Sequence, residues 1–173
     1  MRSRQKELLE LLDKSGADLY ALLTKLTLRE DVAEELMQEL FIKLNNSTGI
    51  GKVANWDAYV RRAAINLAFD WRRRQKQTIL PLQQVAEPVS NDDSPLGKLV
   101  RNEELQKTLD AVGRLKKASR EVLVMRYLQQ ESYDNIAEQL GKTSHHVRAL
   151  CSRAIHQLRD VLGSNEYKPS KRR

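Results

Sequence analysis

Between Thr78 and Gly97 the chain has no helical period, whereas on both sides of that strip apolar residues recur every three or four positions. Pro81, Pro88 and Pro95 interrupt the strip at intervals of seven, and each lacks the amide hydrogen that a helix interior needs. The run Ser90-Asn91-Asp92-Asp93-Ser94 adds turn-forming side chains. A patternless strip of roughly 20 residues is too long for an ordinary loop in a compact domain, so it reads as a linker. The expected fold is therefore all-α: two small helical domains, over 1–77 and 101–163, joined by a flexible linker over 78–100. Residues 164–173, with Lys168, Lys171, Arg172 and Arg173, read as a basic, disordered tail.

Composition supports helices. Of 173 residues 40% are hydrophobic but only 5% are aromatic and 7 are glycine, which disfavours β-barrels and Gly-rich nucleotide folds. The single cysteine, Cys151, leaves no internal disulfide and no cysteine-based zinc cage, and it suits a reducing compartment. No apolar run approaches about 18 residues, so no membrane segment is expected. The start MRSRQKELLELL lacks the apolar core of a signal peptide. Cytoplasmic localisation follows as the expectation.

In the first body Leu8, Leu9, Leu11, Leu12, Leu19, Leu22, Leu23 and Leu26 recur at helical spacing, with Ser15-Gly16 as a candidate break. A second run carries Val32, Ala33, Leu36, Met37, Leu40, Phe41 and Leu44 on one stripe, and Thr27 with Glu30 resembles a capping box before it. Asn45 to Asn55 has two glycines and no period, so it reads as a loop. Trp56, Tyr59, Val60, Ala63, Ala64, Leu67, Ala68 and Trp71 then form a strongly amphipathic helix ending in Arg72-Arg73-Arg74. The aromatic residues lie on its apolar stripe, which favours core packing over stacking on a ligand.

The second body reads as four helical runs, Arg101 to Leu115, Ser119 to Leu128, Tyr133 to Leu140, and one starting at Ser144. Ser132 is the expected N-cap of the third, Gly141 its left-handed stop, and Ser144 the cap of the fourth. A short helix, a glycine turn and a longer capped helix is the pattern of a helix-turn-helix. Ala137 is small enough for close helix approach, and Val147 fills the angle between the helices. The outer face of the second helix shows His145, Ala149, Ser152 and His156 beside Arg148, Arg153 and Arg159, with no acid before Asp160. Such a face meets phosphates without repulsion.

Charge is distributed to match. The chain has 30 Lys+Arg against 23 Asp+Glu, a net +7; residues 1–80 carry 14 basic and 11 acidic side chains, and 101–173 carry 15 and 9. The excess points toward a nucleic-acid partner. The run Glu30, Asp31, Glu34, Glu35 and Glu39 is the exception, and its acidity suits a protein partner with basic side chains.

The stretch Glu121-Val122-Leu123-Val124-Met125-Arg126-Tyr127-Leu128 followed by Ser132-Tyr133-Asp134-Asn135-Ile136-Ala137-Glu138-Gln139-Leu140-Gly141 resembles region 4 of bacterial RNA polymerase sigma factors. Asp31 to Leu44 and Asn55 to Arg74 resemble the two helices of sigma region 2. Two matches in this order, with only a linker between them, resemble the extracytoplasmic-function class. The resemblance covers about residues 10–76 and 101–162.

That resemblance implies a sigma factor that binds core RNA polymerase, at its clamp helices and flap, and directs initiation at promoter DNA. It implies polymerase contacts at Asp31, Glu34, Glu35, Gln38 and Glu39. It implies −10 contacts at Arg61, Arg62, Asn66, Arg72, Arg73 and Arg74, with the loop before that helix helping to hold a flipped base. It implies −35 contacts at His145, His146, Arg148, Ala149, Ser152 and Arg153. The linker would thread toward the RNA exit path. An anti-sigma factor is a further partner implied by the class; no cofactor, metal or catalytic residue is. His145 and His146 depart from the Gly-Thr common in the family, Leu150 replaces its usual Arg and Cys151 its usual Leu. The −35 sequence read by this chain is therefore expected to differ from the common one.

An enzyme is the first alternative, and it lacks material: three histidines lie between 145 and 156 without an acid partner, and no phosphate-binding or nucleophile motif is present. His145 and His146 are adjacent and point about 100° apart, so they do not share a metal as an i, i+4 pair does. The second is a one-component regulator with a C-terminal helix-turn-helix, whose first body would have to hold a ligand cavity or a dimer face.

Overall fold

A computed structural model describes residues 2–47, 53–77 and 95–166 of the chain, with side chains described over 5–47, 53–76 and 102–163. The N-terminal body is a bundle of α1 (Arg2–Thr27), α2 (Glu30–Asn46) and α3 (Trp56–Gln77). The C-terminal body contains α4 (Pro95–Gly113), α5 (Lys117–Leu123), which runs on through a π-helical turn at Val124–Leu128, α6 (Tyr133–Leu140) and α7 (Ser144–Glu166). No strand occurs among the described residues, in line with the all-α expectation. The segment 78–94, the greater part of the expected linker, and residues 167–173 of the expected tail lie outside the described residues.

Three local expectations give way to stronger neighbours. α1 is continuous through Ser15-Gly16. One helical glycine costs about 1 kcal/mol, and Leu8, Leu11, Leu19, Leu22, Leu23 and Leu26, all buried, hold the helix on either side of it. The capping box at Thr27 does not form: the Thr27 hydroxyl bonds back to the Leu23 carbonyl at 2.8 Å, and α2 begins after Arg29 with no side-chain cap. Helix α4 starts at Pro95, inside the strip assigned to the linker. A proline at the first helical position loses no hydrogen bond and is already at helical φ.

On α2, Val32, Ala33, Leu36, Leu40 and Leu44 are buried. On α3 the buried set includes Val60, Ala64, Ile65, Leu67, Ala68 and Phe69. Trp56, Tyr59 and Trp71 pack partly buried against this core, and Trp56 stacks on Tyr59 with ring centroids 5.7 Å apart, so the aromatic residues do serve packing.

The two bodies are not merely tethered. Their apolar interiors run together through α3, whose Phe69 is fully buried. Gly113 ends α4 against that ring, since a Cβ there would lie 3.4 Å from Phe69 Cδ1, and the Arg120 guanidinium sits 5.2 Å from its centroid.

Among the described residues two non-glycine positions adopt left-handed backbone, Leu28 at φ 59 between α1 and α2 and Gln130 at φ 54 before α6. Gln130 is exposed, so its side chain contributes little to offset the steric cost. Gln130→Gly is expected to raise the unfolding free energy by up to about 1 kcal/mol, read as a small increase in thermal midpoint. An unchanged or lowered midpoint would show that the side chain compensates for the strain.

Candidate nucleic-acid and partner interfaces

The helix-turn-helix is built from the expected parts, with one shift. Ser132 Oγ accepts the Asn135 amide hydrogen at 3.1 Å and starts α6. Gly141 ends it at φ 62, ψ 36, a conformation that costs other residues roughly 1–2 kcal/mol. Ile136, Ala137, Val147, Cys151 and Ala154 are buried where α6 and α7 meet, so Ala137 and Val147 occupy their expected places. The cap of α7 comes from Thr143, whose Oγ1 accepts the His146 amide hydrogen at 3.1 Å. Ser144 instead donates its hydroxyl proton to Asp134, tying α7 to α6. The cap expected at Ser144 thus lies one residue earlier, because Ser144 is already the first helical residue of α7 and Thr143 holds the flanking position whose side chain accepts.

The outer face of α7 is open. His145, His146, Arg148, Ser152 and Arg153 are exposed and Ala149 is half-buried. The Arg148 guanidinium lies 5.4 Å from the Tyr133 ring centroid, and Arg126 lies 4.4 Å from the same ring. These two cations over one ring set a positive edge beside α7. Arg153 Nε donates to the Ala149 carbonyl at 3.3 Å, which leaves its terminal nitrogens outward. His156 faces Asp160 at 3.7 Å, one turn on.

On α2, Asp31, Glu34, Glu35, Gln38 and Glu39 are all exposed, opposite the buried stripe. Arg29 Nε bonds Asp31 Oδ1 at 3.0 Å, and this partner holds the Asp31 carboxyl below its ordinary range. Exposed Ile42 continues the same face one turn beyond Gln38. The helix therefore presents an acidic surface with an apolar end.

The α3 candidates are the ones whose placement the sequence did not foresee. Arg61 Nη1 donates to Glu131 Oε1 at 2.9 Å, and Arg62 Nε to Glu121 Oε2 at 3.0 Å. Asn66 Nδ2 donates to Glu121 Oε1 at 2.9 Å and to the Arg62 carbonyl at 2.8 Å, and Asn66 Oδ1 accepts from Arg120 at 2.7 Å. Arg72 is only 6% exposed and donates to the Leu26 carbonyl, the Gln106 carbonyl and side chain, and Asp110. Arg73 pairs with Asp70, and both Arg73 and Arg74 are exposed.

Burial pulls both the Arg72 and Arg120 guanidinium groups down from their ordinary value. Asp110 pulls Arg72 back up, whereas the nearby charge of Arg73 lowers Arg120 further. Both remain charged near neutrality, because arginine starts so far above it.

Sequence reasoning missed Asp110, Glu121, Glu131 and Arg120. Glu121 alone left a trace, a single acid directly before the apolar run Val122-Leu123-Val124-Met125. Among the described residues no three His, Cys, Asp or Glu side chains come together as a metal site, and no helix is long and apolar enough to cross a membrane.

Comparison with known proteins places this geometry. The family "Sigma-70, region 4" matches residues 111–160, which span the end of α4 through most of α7. An RNA polymerase sigma-E factor from Streptomyces avermitilis is 29% identical over 135 residues, covering 78% of this chain and 73% of that protein. A sigma-E factor from Streptomyces antibioticus is 27% identical over 135 residues, with 78% and 72% covered. Among solved structures, CnrH in complex with the cytosolic domain of CnrY is similar in fold, with a TM-score of 0.50, 19% identity, and 94% and 91% of the two chains covered.

Proposed function

We propose that the chain is an RNA polymerase sigma factor of the extracytoplasmic-function class, directing promoter-specific initiation, and that this task is divided among its helices. In this reading residues 1–77 form region 2 and 101–163 form region 4. The acidic face of α2, through Asp31, Glu34, Glu35, Gln38 and Glu39, docks on the polymerase clamp helices. The outer face of α3, through Arg61, Arg62, Asn66, Arg72, Arg73 and Arg74, holds the −10 strand. The start of α7, through His145, His146, Arg148, Ala149, Ser152 and Arg153, enters the major groove at −35. The region 4 body also meets the polymerase flap.

The observation that carries this division is the separation of charge by face. An acidic stripe on α2 is repelled by DNA and attracted by basic protein, whereas the exposed arginines and imidazoles of α7 meet no carboxylate until Asp160. The chain acts without cofactor or metal, as a specificity subunit and not an enzyme, in the cytoplasm. An anti-sigma factor that covers one of these faces is the expected regulator.

A one-component regulator fits less well. Within the N-terminal bundle, a crevice walled by Leu8, Leu12, Met37, Phe41 and Val60 has a volume of about 10 Å³, room for one water; the larger hollows, of about 400 and 420 Å³, lie at the seams of α4 with α3 and α7, outside the bundle that this reading needs as its ligand domain.

Arg153→Ala tests the role of α7. In the polymerase-bound state it is expected to weaken binding to duplex DNA carrying the cognate −35 element by about 1–3 kcal/mol, with association to polymerase unchanged. Equal losses in both properties would contradict the division of labour.

A further inference from the structure

Every α3 side chain from Arg61 to Arg72 assigned to the −10 strand is engaged by the C-terminal body. Glu131 takes Arg61, Glu121 takes Arg62 and Asn66, and Asp110 takes Arg72. We propose that Asp110, Glu121 and Glu131 form an internal occupant of the nucleic-acid face of α3, so that the C-terminal body and a DNA strand compete for one set of side chains. The inference rests on the reading of α3 given above.

Glu121 is the centre of this contact. Its side chain is 2% exposed, and both of its oxygens are bonded by α3, Oε1 by Asn66 and Oε2 by Arg62. A buried carboxylate without partners is strongly disfavoured, so the bonds of Glu121 and the closeness of the two bodies are interdependent. Arg120, the residue before it, fixes the other end of the Asn66 amide while its guanidinium covers Phe69. The carboxylates present to α3 what a strand would present: negatively charged oxygens to guanidinium groups and an acceptor to Asn66.

The contact is also suited to release. Once the bodies part, the carboxylates and guanidinium groups are hydrated, so most of the gain from pairing is offset by recovered hydration. A partner that holds the two bodies apart by binding α2 and α7 separately frees the α3 face without touching it. The isolated chain is then a weak ligand for single-stranded DNA, and its affinity rises when the internal carboxylates are neutralised.

The test compares full-length variants binding a fluorescein-labelled, mixed-sequence 20-nucleotide single strand at fixed salt, read by anisotropy. The triple variant Asp110→Asn, Glu121→Gln, Glu131→Gln removes the occupant while keeping side-chain shape. Its control, Glu103→Gln, Glu104→Gln, Glu138→Gln, removes the same charge from exposed positions of the same body. Tightening of at least tenfold in the first and less than threefold in the control is expected, with a larger radius of gyration by X-ray scattering in the first alone. Equal tightening in both, or none in a folded triple variant, would overturn the proposal.

Glu131→Gln alone leaves the buried Glu121 contacts intact and guards against a triple variant that does not fold; it is expected to tighten binding about threefold, and no change would count against the proposal. Co-elution with core polymerase separates the two failures. If the variants bind polymerase but single-strand affinity is unmoved, the competition is wrong and the division of labour stands. If the wild-type chain does not bind polymerase and neither it nor the folded triple variant binds the single strand, the reading of α3 fails with it.

Discussion

Arg72→Ala is expected to lower the unfolding free energy by about 3 kcal/mol, which at this chain length corresponds to roughly 6–12 °C in thermal midpoint. The guanidinium joins three elements: it donates to the Leu26 carbonyl at the end of α1 at 3.2 Å, and to the Gln106 carbonyl, the Gln106 side chain and Asp110 of α4 at 3.2, 2.6 and 2.9 Å. Truncation leaves those acceptors without their donor, beside a cavity of about 400 Å³ from which water hydrates Asp110 in part. The loss is held near the lower end of the range for a broken buried pair because Lys76 stays on Asp110 at 3.1 Å. Arg73→Ala, at an exposed position with Asp70 as its only described partner, supplies the contrast and should change stability by less than about 0.5 kcal/mol. Denaturant titration of both variants checks this. A change under 1 kcal/mol at Arg72 would mean that the two bodies are held together elsewhere, with Phe69 the first place to look.

The second large effect is on binding. Glu35→Lys should reduce affinity for core polymerase at least tenfold while leaving the melting temperature and single-strand DNA binding unchanged. Glu35 is exposed at the middle of α2, in line with Asp31 and Gln38, and among the described residues it makes no hydrogen bond or close ion pair, only a longer-range attraction to Arg29. Reversing its charge therefore costs the fold little. Against basic side chains of a partner the same change replaces attraction by repulsion, and juxtaposed like charges at an interface cost several kcal/mol. Asp31→Lys should act less cleanly, since Arg29 already engages that carboxylate and the substitution also disturbs the start of α2. Fluorescence titration of labelled chain with core polymerase measures both. An unchanged affinity for Glu35→Lys would return the acidic stripe to an ordinary solvated face.

The surfaces were far more legible in the sequence than the contacts between the bodies. The stripe of α2, the aromatic-lined stripe of α3 and the sequence from Ser132 to Val147 each lie within one or two elements, where period and capping chemistry are local. The errors are local too, and all are competitions between neighbours. Thr27 turns its hydroxyl to the Leu23 carbonyl rather than to the next helix, α7 starts one residue early so that Thr143 caps it while Ser144 bonds Asp134, and Pro95 begins a helix inside the strip read as linker.

The pairing of Arg62 with Glu121, of Arg72 with Asp110 and of Arg61 with Glu131 joins residues 59, 38 and 70 positions apart. No periodicity reports such a contact. Read in sequence, Arg61, Arg62 and Arg72 are a free basic face. In the folded chain each of them has a carboxylate partner from the C-terminal body, and such a partner leaves no trace in the local pattern.

The central claim, a polymerase specificity subunit, is tested most directly by gel filtration of the full-length chain with purified bacterial core RNA polymerase. A sigma factor co-elutes with the polymerase at near one-to-one stoichiometry. A chain that elutes alone at concentrations well above 1 μM, yet binds duplex DNA tightly by itself, would contradict it.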